Sequence, residues 1–182
     1  MRQCLRVGLA AVLWVATGLG AHGPAQAAPR RIVSLNLCTD EILLDLVHRD
    51  RIVAVSHLAA DPLVSAVADR AVGLPVTRGE AESVLALEPD LVLAGTFTTP
   101  ATLDLLERIG QRVVRVPLAS DIVGIRAAIR QVATAVGEEA RGGDLISAFD
   151  EALGRAAGGA TGGERRSALV YQVNGLSAGP GS

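Results

Sequence analysis

The chain has 182 residues, an acidic balance with a formal net charge of −2, and no lysine, so all of its 17 basic residues are arginines. Scattered arginines on a weakly acidic chain argue against a nucleic-acid or anionic-membrane partner. With 49% apolar residues but only 2% aromatic ones, the composition calls for a globular core built from aliphatic side chains.

The first 27 residues read as a secretory signal peptide. Arg2 and Arg6 form a basic start, Val7 to Gly20 is an uncharged, mostly apolar stretch, and Ala25-Gln26-Ala27 is a small-x-small cleavage pattern. The apolar stretch is about 14 residues, short of the ~20 that span a bilayer as a helix. Cys4 precedes it, so no lipid-attachment cysteine stands at the cleavage site, and Cys38 alone remains after cleavage, which leaves no internal disulfide.

Beyond Ala28, Ile32–Leu35, Ile52–Val55, Leu91–Ala94 and Val113–Val116 are nearly continuous in aliphatic residues. Strands buried on both faces of a parallel sheet have that pattern. Helices are predicted between them. The first is capped by Thr39 or Asp40, with Ile42, Leu43, Leu46 and Val47 on one face. A short one covers Pro62–Ala68, and another runs from Glu80 to Leu87 and stops at Pro89. Thr99-Pro100 starts a helix over Ala101–Ile109 that Gly110 ends. Asp121–Val136 reads as a further helix, interrupted by Gly137, and Glu138 to about Ala157 as a long one that Gly142-Gly143 weakens. A break at Gly158–Gly163 precedes a strand, Ala168–Val173. The alternation predicts an α/β fold, a parallel sheet with helices on both faces.

In such a sheet the loops at the carboxyl ends of the strands form a ligand crevice. Those loops are Asn36–Thr39, Ser56–Ala60, Gly95–Thr99 and Leu118–Ser120. The candidate ligand-binding residues there are Asn36, Thr39, Ser56, His57, Phe97 and Thr98, with Tyr171 and Asn174 from the last strand. Hydroxyl, amide and imidazole groups of this kind can hydrogen-bond an oxygen-rich chelate. No dinucleotide fingerprint, phosphate loop or nucleophile elbow is present. Cys38 with His57 is the one conceivable nucleophile pair, and nothing completes it. His48 and His57 are too few and too far apart in the chain for a bare-ion site. The residues therefore indicate a binding protein, not an enzyme, with no cofactor and no protein-held metal.

Three stretches resemble the periplasmic binding proteins of iron-siderophore, haem and vitamin B12 ABC importers. They are R-I-V-S-L-N-L-C-T-D-E-I-L at Arg31–Leu43, E-S-V-L-A-L-E-P-D-L-V-L-A at Glu82–Ala94, and V-Y-Q-V-N-G-L-S-A-G at Val170–Gly179. The second is the most specific. The resemblance implies two α/β lobes joined by a long helix, with the ligand, a metal chelate or corrinoid, held between them by a monomer. It divides the chain into a signal peptide (1–27), an N-terminal lobe (28–137), an inter-lobe helix (138–158) and a linker with the first strand of a truncated second lobe (159–182). It also implies that Glu82 docks on an arginine of an inner-membrane ABC permease, from a helix end facing away from the strand-end loops. A direct metal-ion receptor, or a sensory module of related fold, is the alternative. The protein is expected in the periplasm, not inserted in the membrane after cleavage. N-terminal sequencing of the exported product should begin near Ala28, and an intact Met1 terminus in the membrane fraction would contradict the assignment.

Overall fold

The computed structural model describes residues 27–159. Residues 1–26, within the predicted signal peptide, and the last predicted strand, with Tyr171 and Asn174, lie outside the described residues. Five strands, β1 (Ile32–Ser34), β2 (Ile52–Ser56), β3 (Val76–Thr77), β4 (Leu91–Gly95) and β5 (Val113–Val116), form one parallel sheet in the order β3-β2-β1-β4-β5. Around it lie α1 (Leu37–Leu46), α2 (Ala68–Ala71), α3 (Ala81–Leu85), α4 (Pro100–Arg108), α5 (Ile122–Val136) and α6 (Glu139–Gly159).

The aliphatic runs are central strands because both of their faces are covered. Ile32, Leu91 and Leu93 point into one layer with Leu43 and Leu46 of α1 and Val132 and Val136 of α5. Val33 and Val92 point into the other, with Val84 of α3 and Leu106 of α4. One extra residue in β2 shifts the register, so that Ile32 pairs with Ile52 but Val33 with Ala54. That bulge sends Ile52 and Val55 to the α1 face and Ala54 to the α3 face, where strict alternation would have separated them differently.

Three local expectations are corrected. The cap of α1 is Asn36, whose side-chain oxygen accepts from the Cys38 N–H at 3.0 Å. Thr39 and Asp40 sit inside the helix and are buried. Pro62–Ala68 is not a helix but a run of turns. Asp61 accepts there from the Leu63 N–H, and only the four residues of α2 wind regularly. Strand β3 escaped the sequence reading because two residues between Pro75 and Arg78-Gly79 carry no periodicity. Its position at the sheet edge leaves Val76 exposed.

The motif Leu87-Glu88-Pro89-Asp90 works at the amino edge of the sheet. Asp90 accepts from the backbone N–H groups of Arg30 and Arg31 at 2.7 and 3.0 Å, which fixes the start of β1 beside β4. Glu88 has φ +46°, a left-handed conformation that costs a non-glycine residue ~1 kcal/mol. The Arg31 guanidinium offsets this by donating to the Glu88 and Leu87 carbonyls at 2.8 and 2.6 Å. Nearby, Arg51 donates to Glu138 Oε1 and to the Val136 carbonyl, both at 2.5 Å, and so satisfies the end of α5. Gly137, left-handed at φ +74°, then turns the chain into α6, which at 21 residues is ~30 Å long.

A buried polar link ties α1 to β2. Asp40 accepts from Ser56 Oγ at 2.5 Å and from the Ser56 N–H at 3.2 Å, and all of its surface is covered. Burial, the dominant cause, raises its pKa from 3.8 to about 6. Hydrogen bonds from Ser34 and Ser56 oppose the rise, and Glu41 adds to it. The folded state therefore holds a proton on Asp40 that the unfolded state has released. This group's contribution to stability is complete below pH 3.8, is lost as pH rises toward 6, and changes no further above that. The loss is at most ~3 kcal/mol. Denaturant unfolding at pH 4 and pH 7 should show that loss in the unmodified protein, and Asp40→Asn should lack it, so the two pH dependences should differ by that amount.

Helix packing makes a second testable point. A Cβ on Gly142 would lie 2.4 Å from Ala133 Cβ, because α6 approaches α5 there without a side chain between them, whereas a Cβ on Gly143 meets nothing within 4 Å. Gly142→Ala should destabilise the protein by ~1–3 kcal/mol through overpacking. Gly143→Ala should stabilise it by up to ~1 kcal/mol through helix propensity alone. Equal effects at the two positions would contradict the close approach.

Candidate functional site

The strand order reverses between β1 and β4. The chain winds outward from β1 to β2 and β3, then crosses back to β4 and outward again to β5. Helix α1, leaving β1, packs on one face, and α4, leaving β4, on the other. Their loops diverge, and a crevice opens at the carboxyl ends of the two strands. An open cavity of about 350 Å³ lies there.

Asn36 fixes its floor. The side chain caps α1 and lies against Gly95 at the end of β4, where a Cβ would come within 2.5 Å of Asn36 Cγ. Gly95 donates its N–H to Thr98 Oγ1 at 3.1 Å and accepts from the Thr98 N–H at 3.1 Å, which folds Thr96 and Phe97 out over the opening. Phe97 is 77% exposed on the cavity rim. Thr96 Oγ1 accepts from the Leu118 N–H at 2.9 Å and so joins the loops after β4 and β5.

The predicted residues separate into three groups. Asn36 and Phe97 line the cavity, and Thr39 lies behind its surface. The Thr39 hydroxyl is buried, 2.8 Å from Ser34 Oγ and donating to the Asn36 carbonyl at 2.8 Å, so it holds the loop. Thr98 closes the turn after β4 and faces a smaller hollow beside α4. Ser56 is buried against Asp40, and His57 is exposed at the end of β2, its N–H donating to the Thr77 carbonyl; neither lines the cavity.

Glu82 requires a correction. It is exposed in the first turn of α3, and α3 follows β3, so the helix begins at the carboxyl edge of the sheet, not on the side away from the strand-end loops. It stands on the crevice side, toward the outer β3 edge.

The sequence reading missed the apolar wall. Val116, Pro117, Leu118, Ile42, Ile125 and Ile129 face the cavity. Ile125 and Ile129 belong to the apolar stripe of α5. That helix follows β5, so its first turns start at the carboxyl edge of the sheet, where Ile125 and Ile129 line the opening, while Val132 and Val136 pack in the core. Cys38, exposed, and Glu41 complete the lining near the start of α1. The arrangement offers an apolar, partly aromatic surface with a polar fringe, the composition of a small-molecule site.

Comparison with known proteins agrees with this architecture. The haem-binding protein RhuT from Roseiflexus sp. RS-1, in its apo form, is 25% identical with a TM-score of 0.66, over 81% of this chain and 57% of that one. A periplasmic haem-binding protein from Pseudomonas aeruginosa is 23% identical with a TM-score of 0.60, over 71% and 46%. The vitamin B12-binding protein BtuF of Vibrio cholerae is 22% identical with a TM-score of 0.58, over 70% and 49%. The chain spans about half the length of these structures. No curated protein matches it. The family described as periplasmic binding protein matches residues 32–180. This chain belongs to the periplasmic binding protein family, a family of substrate-binding proteins and not of enzymes.

Proposed function

We propose that the protein is the periplasmic solute-binding component of an ABC importer, capturing an iron chelate (siderophore or haem) or cobalamin and delivering it to an inner-membrane permease. The observation that carries this reading is the cavity at the strand reversal. Its aliphatic wall and exposed Phe97 suit the large apolar surface of a chelate or macrocycle, while Asn36 at its floor and Thr96 at its edge suit polar substituents. Export through the cleavable leader places the protein in the periplasm. Helix α6 serves as the bridge between lobes.

A direct metal-ion receptor fits less well. His48 follows α1 at the amino edge of the sheet, hydrogen-bonded to Asp50 at 2.9 Å, while His57 stands at the carboxyl edge. A single ion cannot reach both. Glu82, exposed on the crevice side, meets a permease arginine when the loaded receptor docks with its opening toward the membrane.

One paired experiment tests capture and delivery. Calorimetry of the purified protein against haem, cyanocobalamin, the ferric trihydroxamate ferrioxamine B, and free Zn²⁺, Mn²⁺ and Fe³⁺ should give tight binding to a chelate and none to a bare ion. Glu82→Arg should keep that affinity and lose uptake in cells. Losing one charge-assisted interfacial contact costs ~2–5 kcal/mol if it is buried. Tight binding to a bare ion alone would contradict the capture role, and normal uptake by Glu82→Arg would remove the docking role.

A further inference from the structure

The charge around the cavity narrows the ligand class. Glu41 of α1 lines the cavity together with Ile42, Ile125 and Ile129, and its carboxylate lies at the rim, toward the turns after β2. Among the described residues its carboxylate accepts one hydrogen bond, a long one at 3.4 Å from the Ala66 N–H, and pairs with no arginine. The same edge of the sheet carries Asp61 after β2, Glu80 and Glu82 at the start of α3, and Asp121 at the start of α5.

Among the described residues, the arginines nearest the cavity walls are committed elsewhere. Arg115 on β5 makes a two-pronged bond to Glu107 at 2.9 Å on the α4 side, and Arg126 on α5 pairs with Asp150 of α6 at 2.7 Å. Arg31, Arg51 and Arg112 hold backbone carbonyls at the opposite edge or along α5. A low-dielectric hollow rimmed by one sign of charge concentrates the field of that sign on whatever enters it. The same edge also carries Arg78, exposed after β3, against the five carboxylates, so the field there is net negative.

We infer that the ligand of this site is a metal chelate or corrinoid of zero or positive net charge, and that Glu41 is the residue that discriminates against anionic chelates. The inference rests on the proposed capture of a chelate and specifies its chemistry. A carboxylate-bearing macrocycle or a tricatecholate would bring negative charge against Glu41. An uncharged corrinoid or a cationic ferric trihydroxamate would present the apolar surface that Phe97 and the α5 isoleucines cover, without that repulsion.

The test is a competition series at neutral pH with four probes: cyanocobalamin (uncharged), ferrioxamine B (cationic), haem (a dicarboxylate) and a ferric tricatecholate (anionic). The unmodified protein should bind cyanocobalamin or ferrioxamine B at least about tenfold more tightly than either anionic probe. Glu41→Gln should weaken ferrioxamine B, and Glu41→Lys should improve the anionic probes, by up to about fivefold each. Cyanocobalamin, blind to the charge, should change by less than about twofold and so report that the cavity is intact. Tighter binding of haem or the tricatecholate by the unmodified protein overturns the inference and leaves chelate capture standing. Charged probes that respond no more than cyanocobalamin to both Glu41 substitutions overturn the role of Glu41. Binding of none of the four removes the capture reading itself, and this inference with it.

Discussion

Asn36 stands where the chain leaves β1, and its side chain has two uses. Its amide oxygen satisfies the Cys38 N–H at the start of α1, and its amide group packs on the bare Cα of Gly95 at the end of β4. A side chain at position 95 would force the cap away, so the two strands on either side of the reversal keep their spacing only with this pair. The direction of α1, the turn Gly95–Thr98 and the placement of Phe97 all follow from it. The crevice is the consequence of two helices departing to opposite faces from adjacent strands.

The two edges of the sheet are built for different tasks. The amino edge is tied together by arginines that donate to backbone carbonyls, Arg31 to Leu87 and Glu88 and Arg51 to Pro29 and Val136, and by Asp90 holding the start of β1. These contacts consume their polar groups internally. The carboxyl edge holds carboxylates that cap helix starts or stand exposed, together with the apolar lining of the cavity. Stability is concentrated at one edge, and the surface left for recognition lies at the other.

The fold was legible because its signals are local. Continuous aliphatic runs mark central strands, and Asp121, Pro100 and Gly137 mark helix ends through backbone chemistry that acts within a few residues. The errors have the same origin. Asn36 was passed over as a cap because Thr39 and Asp40 are equally good capping residues, and only the tertiary burial of those two decides between them. Pro62–Ala68 has helix-compatible composition, but Asp61 diverts it into turns. The motif containing Glu82 was recognisable, yet its orientation depends on β3, a two-residue strand too short to carry a pattern. The site was half legible. Loop residues such as Asn36 and Phe97 are found by their place after strands, whereas Ile125 and Ile129 look like ordinary core until the first turns of α5 are seen at the opening.

Cys38 provides the most direct test of the claim that ligand occupies the cavity at the strand reversal. It is exposed, lines the cavity, and shares the sequence with one other cysteine, Cys4. The rate of Cys38 alkylation by a small maleimide should be measured with and without saturating cyanocobalamin or ferrioxamine B, whichever the protein retains. The account predicts strong protection of Cys38 by the bound chelate. An unchanged alkylation rate on the fully loaded protein would place the ligand elsewhere and contradict it.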